Sequence, residues 1–202
     1  MANAKSLIEE ASFLFRSGFH ARAYTLSHIA REEVAKITML YSTGLRMLGG
    51  LPVDWGKLHK RLRDHKSKLT NDAYNTFMNL PEATRTLDLE KMVASSSVQN
   101  EWKNDSLYIT LKGSSFKMPS EMIAPEKAKN TITLAAFSYK TTEEYLSDGG
   151  KLAERDAKVL KEIFSSFNPE KLGRNDAIAI LKKLHKLIHT KNKSQKKSGR
   201  SD

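Results

Sequence analysis

Two stretches of this chain each place a residue capable of acid–base chemistry where a hydrophobic side chain is expected. In residues 19–41, small and apolar side chains recur with the helical period of a buried face, and Glu33 occupies one position of that series. In residues 55–69, a similar series is interrupted by His65. The two series are Phe19, Ala23, Leu26, Ala30, Ile37, Leu40 and Trp55, Leu58, Leu62, Leu69. A carboxylate can hold an imidazole in one tautomer, and a held imidazole can act as an acid or a base.

We therefore predict that Glu33 and His65 meet across a helix interface. Arg61 precedes His65 by four residues, which places both side chains on one side of a continuous helix. Arg61 or Lys36 could then steady a phosphate group beside His65. The alternative is that Glu33 and His65 form a satisfied polar pair inside the core and have no catalytic role.

Other patterns give weaker indications of a site. Glu32 and Lys36 have the spacing of a surface ion pair, which contributes little stability. His185 and His189 lack the carboxylate of a metalloprotease signature, and we interpret them as a solvated face. The chain has no cysteine, so thiolate catalysis and cysteine-based zinc sites are excluded. We predict neither a metal site nor a cofactor.

Helical periodicity predominates in the elements that must position these residues. It predicts an all-α fold, a bundle of six to seven helices, with a small β-hairpin-like insertion near residues 106–118. Glycines from Gly44 to Gly50 and the following Pro52 predict a loop. The predicted helices cover residues 6–16, 19–41, 55–78, 87–102, 125–146, 150–167 and 175–189.

The charge of the chain is concentrated at its end. Of the net charge of +11, residues 182–202 hold eight lysines and arginines against one aspartate. We predict one helical domain over residues 1–190 and a basic disordered tail over residues 191–202. A basic tail favours RNA, DNA or acidic partners, although it could serve solubility alone. No apolar run is long enough to cross a membrane. The absence of cysteine fits a reducing setting, and we expect a cytoplasmic protein.

Three blocks of the sequence resemble a known family. The helix running into Glu32-Glu33-Val34-Ala35-Lys36 resembles HEPN-type domains. More narrowly, the chain is similar to the AbiV family of abortive-infection proteins over about residues 5–150. The blocks are Arg22-Ala23 through Glu32-Glu33 to Lys36, Trp55 through His65-Lys66 to Lys68-Leu69, and Lys103 through Leu107-Tyr108 to Pro119.

This resemblance implies phage defence by a cytoplasmic protein that halts growth or translation in infected cells. HEPN proteins are commonly dimeric, metal-independent ribonucleases that cut RNA with an arginine and a histidine separated by about four to six residues. Arg22 and His28 have that spacing, whereas Arg61 and His65 are separated by three residues. His28 lies away from the Glu33 series, and we therefore assign catalysis to His65 and Arg61, assisted by Glu33 and Lys36.

The resemblance also implies partners: a second copy of the chain, a phage-encoded activator protein, and RNA as the target. The basic residues assigned to nucleic-acid binding are Arg63, Lys68, Lys103, Lys193, Lys196 and Lys197. A non-enzymatic alternative stays open, in which the chain blocks translation by binding RNA, the ribosome or a protein partner.

Overall fold

The computed structural model describes residues 1–80, 89–155 and 161–162. Over these residues the chain forms seven helices and one two-stranded antiparallel sheet, which confirms the predicted all-α class with a small hairpin. The elements are α1 Ala2–Arg16, α2 His20–Leu48, α3 Trp55–Arg63, α4 His65–Asn79, α5 Leu89–Leu107, β1 Thr110–Lys112, β2 Ser115–Lys117, α6 Pro119–Met122 and α7 Pro125–Arg155.

The chain divides into two compact units. The first comprises residues 1–39 and 56–143, and the second comprises residues 40–55 with the chain from residue 144 onward. The first unit contains α1, α4, α5, both strands and α6 entirely, with most of α2, α3 and α7. None of the helices in the described ranges is long and apolar enough to span a bilayer.

Three predicted helix boundaries are wrong. The helix predicted over residues 55–78 is broken at Asp64, which has an extended backbone and whose carboxylate accepts the Ser67 N–H at 2.7 Å. This N-cap separates α3 from α4. Gly44 lies inside α2 and not in a loop, and α7 continues through Gly150, where a new helix was expected to begin. The remainder of the two C-terminal helices and the basic tail fall outside the described residues, apart from residues 161–162.

The buried face of α2 differs from the predicted one. Phe19 and Leu40, at the ends of the predicted series, are more than half exposed. Within the first unit, buried residues of α2 include both apolar and polar side chains: Ala21, Ala23, Tyr24, Thr25, Ser27, His28, Ala30, Arg31, Glu32, Val34, Ala35 and Met39. A series built from hydrophobic residues alone misses a face on which polar side chains are buried together with their partners.

A buried ion pair connects α2 to its neighbours. The Arg31 guanidinium donates from Nε to Oδ2 of Asp72 on α4 at 2.8 Å, and its Nη2 lies 2.6 Å from the same oxygen. Its Nη1 donates to Oε1 of Gln99 on α5 at 2.7 Å, and the Ser138 hydroxyl on α7 donates to the second Asp72 oxygen at 2.7 Å. Four helices thus share one polar network, in which removing a single partner would leave a buried charge uncompensated.

We predict that Asp72→Asn destabilises the protein strongly. The substitution leaves the Arg31 guanidinium buried without a counterion, and we expect the free energy of unfolding to fall by about 3–5 kcal/mol in urea denaturation. The control is Glu10→Gln on the exposed surface of α1, for which a change within about 0.5 kcal/mol is expected. Equal effects of the two substitutions would show that the Arg31–Asp72 pair does not hold the helices together.

Candidate functional site

A single buried carboxylate gathers side chains from three helices. Glu32 on α2 is 3% exposed, and both of its oxygens lie 2.8 Å from Nδ1 of His65. The Lys68 ammonium donates to Oε2 at 2.5 Å. Nε2 of His28 lies 3.3 Å from Oε1, and the Lys103 ammonium lies 4.0 Å from the same oxygen. We call these five residues the Glu32 cluster.

The helices place the cluster by simple spacing. His28 and Glu32 are four residues apart on α2 and therefore share a face. The N-cap at Asp64 makes His65 the first residue of α4, and Lys68 follows almost one turn later. Lys103 comes from the C-terminal part of α5. The cluster lies entirely within the first unit of the chain.

Glu32 is held in its charged form. Burial alone would raise the pKa of this carboxyl, but the close contact with His28, the hydrogen bonds from Lys68 and His65 and the Lys68 charge outweigh burial and hold the pKa well below its usual range. The cluster combines one carboxylate with two lysine ammoniums. With neutral imidazoles it therefore carries one excess positive charge.

His65 is the member of the cluster that is open to solvent. Its side chain is 52% exposed, whereas the side chains of His28, Glu32, Lys68 and Lys103 are each at least nine-tenths buried. Because Glu32 is ionised, the neutral ring of His65 must carry its proton on Nδ1 and donate it to the carboxylate. The lone pair of Nε2 is then left for a ligand or a proton.

In the same tautomer, the Lys103 ammonium has no hydrogen-bond acceptor within the Glu32 cluster. Its ammonium lies 3.5 Å from His65 Nδ1, but a nitrogen that donates its proton to Glu32 cannot also accept one from Lys103. The ammonium therefore interacts with Glu32 through charge alone, at 4.0 Å. A nine-tenths buried cation in this position favours the approach of an anion beside His65.

His28 is neutral and fully buried. Burial lowers the pKa of this imidazole below its ordinary value, and the nearby Arg31 charge adds to this effect against the opposing contact with Glu32. Nδ1 has no hydrogen-bond partner in the described structure, and the contact of Nε2 with Glu32 is poorly aligned for a hydrogen bond. His28 thus fills space beside the carboxylate without adding a charge.

The predicted pairing of Glu33 with His65 is wrong. The carboxylate that meets His65 belongs to Glu32, one residue earlier, and Glu33 instead pairs with Lys36 at 2.5 Å on a partly exposed surface. Adjacent helical residues point about 100° apart, so Glu33 cannot face His65 while Glu32 does. The expected surface pair of Glu32 with Lys36 is also wrong, because Glu32 is buried against His65 and Lys68 while Lys36 pairs with Glu33.

The other predicted residues of the described chain fall into two groups: the arginines of α3 lie outside the Glu32 cluster, and the two lysines are buried within it. Arg61 and Arg63 are exposed on α3, and the break at Asp64 removes the continuous helix that would have aligned Arg61 with His65. Lys68 and Lys103 lie against Glu32 and not on an open surface. The assignment of Lys68 and Lys103 to nucleic-acid binding stays a prediction. The same holds for Arg63 and for Lys193, Lys196 and Lys197, of which the three lysines fall outside the described residues.

Sequence reasoning missed Glu32 and His28 as members of the cluster. Arg22 and His28 have the arginine–histidine spacing expected of HEPN ribonucleases, but Arg22 is exposed and His28 is fully buried. The signal that could have identified the cluster is the four-residue spacing from His28 to Glu32. Within the described ranges, no group of three or more histidine and acidic side chains is arranged to hold a metal ion.

We predict that two neighbouring glutamates differ greatly in their contribution to stability. Glu32→Gln leaves the buried Lys68 ammonium without a counterion, and the free energy of unfolding should fall by about 3–5 kcal/mol. Glu33→Gln disrupts a partly exposed pair with Lys36 and should cost less than about 1 kcal/mol. Urea denaturation of both variants tests this, and a larger loss for Glu33→Gln would contradict the assignment of Glu32 as the central carboxylate.

We also predict that acidification destabilises the protein through His28. Because the folded-state pKa of His28 is lowered, the unfolded chain binds a proton first as the pH falls below about 6.5. Stability should therefore be full above that value and decline below it, by up to about 1.4 kcal/mol per pH unit from this group.

The measurement is the free energy of unfolding at pH 7.5 compared with pH 5.5. His28→Gln should lose part of this pH dependence, whereas His59→Gln, on the exposed surface of α3, should retain it. An unchanged slope in His28→Gln would mean that His28 takes up its proton equally in the folded and unfolded chains.

Comparison with known proteins places the cluster within a recognised family. The family HEPN_AbiV, described as AbiV, matches residues 1–140, which include all five residues of the Glu32 cluster. A search of curated proteins and a search of solved structures found no match. The matched region covers more than half of the chain and contains the elements from α1 to the first part of α7. The chain therefore belongs to the HEPN-type AbiV family of abortive-infection proteins.

Proposed function

We propose that this protein is an abortive-infection effector that arrests growth or translation in phage-infected cells by cleaving RNA, with His65 as the acid–base group. The observation that carries the proposal is the contact of the half-exposed His65 with the buried, ionised Glu32. This contact fixes the tautomer and leaves Nε2 free for proton transfer. Membership of the AbiV family supports the role in defence.

The proposed reaction uses the ribose 2′-hydroxyl as nucleophile. Nε2 of His65 removes the 2′-hydroxyl proton, the 2′-oxygen bonds to the adjacent phosphorus, and the bond from phosphorus to the 5′-oxygen breaks. The leaving 5′-oxygen takes up a proton from solvent water, and the His65 imidazolium returns its proton to solvent, so that the products are a 2′,3′-cyclic phosphate and a 5′-hydroxyl. Glu32 stabilises the imidazolium formed in this reaction, as a carboxylate behind a catalytic histidine does.

Lys103 supports the same reaction through its charge. Its ammonium lies close to His65 and meets no aligned acceptor in the part of the chain that the structure describes, and a phosphate oxygen would supply one. The excess positive charge of the cluster would also stabilise the charge that develops on the phosphate. We assign the positioning of the imidazole to Glu32 and the electrostatic stabilisation of the phosphate to Lys103.

The setting of this activity is proposed from the family. We propose that the protein acts in the cytoplasm, without a metal ion, as a homodimer that a phage-encoded protein activates. Activation must be conditional because a constitutive ribonuclease would kill its own host cell.

A second candidate function is a non-enzymatic block of translation by binding RNA, the ribosome or a protein partner. The observation that favours it is the deep burial of Glu32, Lys68, His28 and Lys103, which is also what a purely structural polar network would show. In that case His65 would cover the edge of the network and take no part in chemistry.

We predict that His65→Ala abolishes both RNA cleavage and growth arrest while the protein stays folded. The control is His59→Ala, which removes another exposed histidine, six residues earlier on α3. The measurement is sequencing of RNA 5′ ends after induction, with and without infection, for the wild-type protein and both variants. Circular dichroism confirms that each variant is folded.

New RNA ends that appear with the wild type and His59→Ala but not with His65→Ala would support catalysis by His65. If folded His65→Ala produces the same ends, His65 is not the catalytic base. If growth stops without any new ends under activating conditions, the binding alternative replaces the ribonuclease. Lys103→Met serves as a further variant and should lower the cleavage rate without moving the cut sites.

A further inference from the structure

The positive charge of residues 1–181 is concentrated in one short segment. Residues 57–66 contain five lysines and arginines against one aspartate. In the other residues of 1–181, the lysines and arginines number 21, and the aspartates and glutamates also number 21. The whole net charge of this part of the chain, +4, is therefore carried by ten residues. We call residues 57–66 the basic segment.

The basic segment has a defined fold in which its apolar side chains face inward. Residues 57–63 lie on α3 and residues 65–66 begin α4, with the N-cap Asp64 between them. Leu58 is buried, and Leu62, four residues later, is partly buried on the same side of the helix. The lysines and arginines of the segment are all exposed: Lys57, Lys60, Arg61, Arg63 and Lys66. The helix is thus fixed by its apolar side and presents its charges to solvent.

Four of these cations have no counterion in the part of the chain that the structure describes. The residues that take part in none of its ion pairs are Lys60, Arg61, Arg63 and Lys66. The carboxylate of Asp64 accepts the Ser67 N–H as the cap of α4. Both lysines of the hairpin, by contrast, each meet a carboxylate. Like charges that lie close together repel each other, and a bound polyanion removes this repulsion.

The basic segment leads directly into the proposed catalytic group. Arg63 comes two residues before His65, and Lys66 follows it directly. Because consecutive Cα atoms are about 3.8 Å apart, the Cα atoms of Arg63 and His65 lie within about 7.6 Å of each other. Long cationic side chains at this distance are within reach of the phosphates that neighbour a phosphate bound at His65.

We propose that the basic segment is the RNA-binding surface of this protein and holds the phosphates that flank the bond to be cut. The choice of RNA rests on the proposed function, because a phosphodiester at His65 brings a row of further phosphates with it. An acidic protein would meet the same cations, but it gives no role to their position beside His65. Lys60, Arg61 and Arg63 thus contribute to affinity, and His65 carries the chemical step.

The composition of the basic segment also determines what it recognises. Lysine and arginine contact phosphates, which every RNA sequence shares. Proteins that stack unpaired bases use aromatic side chains, and the basic segment contains no phenylalanine, tyrosine or tryptophan. The segment therefore binds RNA with a strong dependence on salt and little dependence on base sequence.

The test compares two triple variants that each remove three exposed positive charges. Lys60→Gln/Arg61→Gln/Arg63→Gln neutralises the basic segment, which gives the segment variant. The matched control neutralises exposed lysines on α1, α5 and α7 and is Lys5→Gln/Lys91→Gln/Lys129→Gln. The probe is a fluorescein-labelled 2′-O-methyl oligouridylate, whose binding to the full chain is followed by anisotropy. This probe has no free 2′-hydroxyl, so the proposed reaction cannot cut it.

We expect the control variant to bind the probe as the wild type does. The segment variant should raise the dissociation constant by about tenfold or more at moderate salt. Its plot of log Kd against log salt concentration should be less steep by about 2, because each phosphate contact with a single strand contributes about 0.7. A 2′-O-methyl oligoadenylate should lose affinity by the same factor. If the segment variant does not fold, Lys60→Glu is compared with Lys129→Glu in the same assay.

Cleavage kinetics separate this proposal from the proposed function. The segment variant should raise KM for RNA with kcat nearly unchanged, because its cations bind the substrate equally before and during the reaction. If the protein cuts no RNA under activating conditions but the segment variant still loses affinity, the ribonuclease is excluded and the RNA-binding surface stands.

Three results would overturn the proposal. The first is equal affinity of the two folded triple variants for the probe. The second is a segment variant that lowers kcat and leaves KM unchanged, which would make one of its arginines catalytic. The third is a segment variant that binds the probe as the wild type does but loses binding to polyglutamate. That result would assign the basic segment to an acidic protein partner.

Discussion

The arrangement of helices around α2 depends on the burial of one negative charge. A carboxylate that is removed from water must meet cations or hydrogen-bond donors, or it destabilises the fold by several kcal/mol. Glu32 meets this requirement by drawing Lys68 and His65 from α4 and Lys103 from α5. The interface of α2 with these two helices is therefore specified by charge as well as by packing. Arg31, one residue earlier on α2, forms a second buried ion pair with Asp72 of α4.

The same requirement explains how a site can arise at the edge of a polar core. Lys68 neutralises Glu32 from the buried side, and His28 occupies the space beside it as a neutral ring. His65 approaches from the solvent side and is oriented by a carboxylate that cannot move far. The contact between Glu32 and His65 thus helps to stabilise the fold and also carries the proposed chemistry.

Helix α5 connects the cluster with the hairpin. Lys103 reaches Glu32, and Asp105, two residues later, holds Thr110 and Lys112 of the hairpin.

Much of the fold could be predicted from the sequence, and part of the site could not. Periodicity located α1, α2, α5 and the start of α7, and the turn at Gly113, which has a positive φ of 61°, marks the hairpin. His65 was recognised because it interrupts an apolar series. Its partner was missed because two adjacent glutamates differ by one step of helical phase, and counting apolar residues cannot decide which of them is buried. The break at Asp64 was missed because an aspartate inside a helical pattern is easily taken for a surface residue.

The contact between Glu32 and His65 can be tested directly by nitrogen-15 NMR of the imidazole ring at a pH where the ring is neutral. The structure predicts that His65 carries its proton on Nδ1 and that Nε2 is unprotonated, in the wild type and in Glu33→Gln alike. Glu32→Gln should alter this tautomer preference. A wild-type His65 protonated on Nε2, or a tautomer that changes with Glu33→Gln and not with Glu32→Gln, would contradict the account.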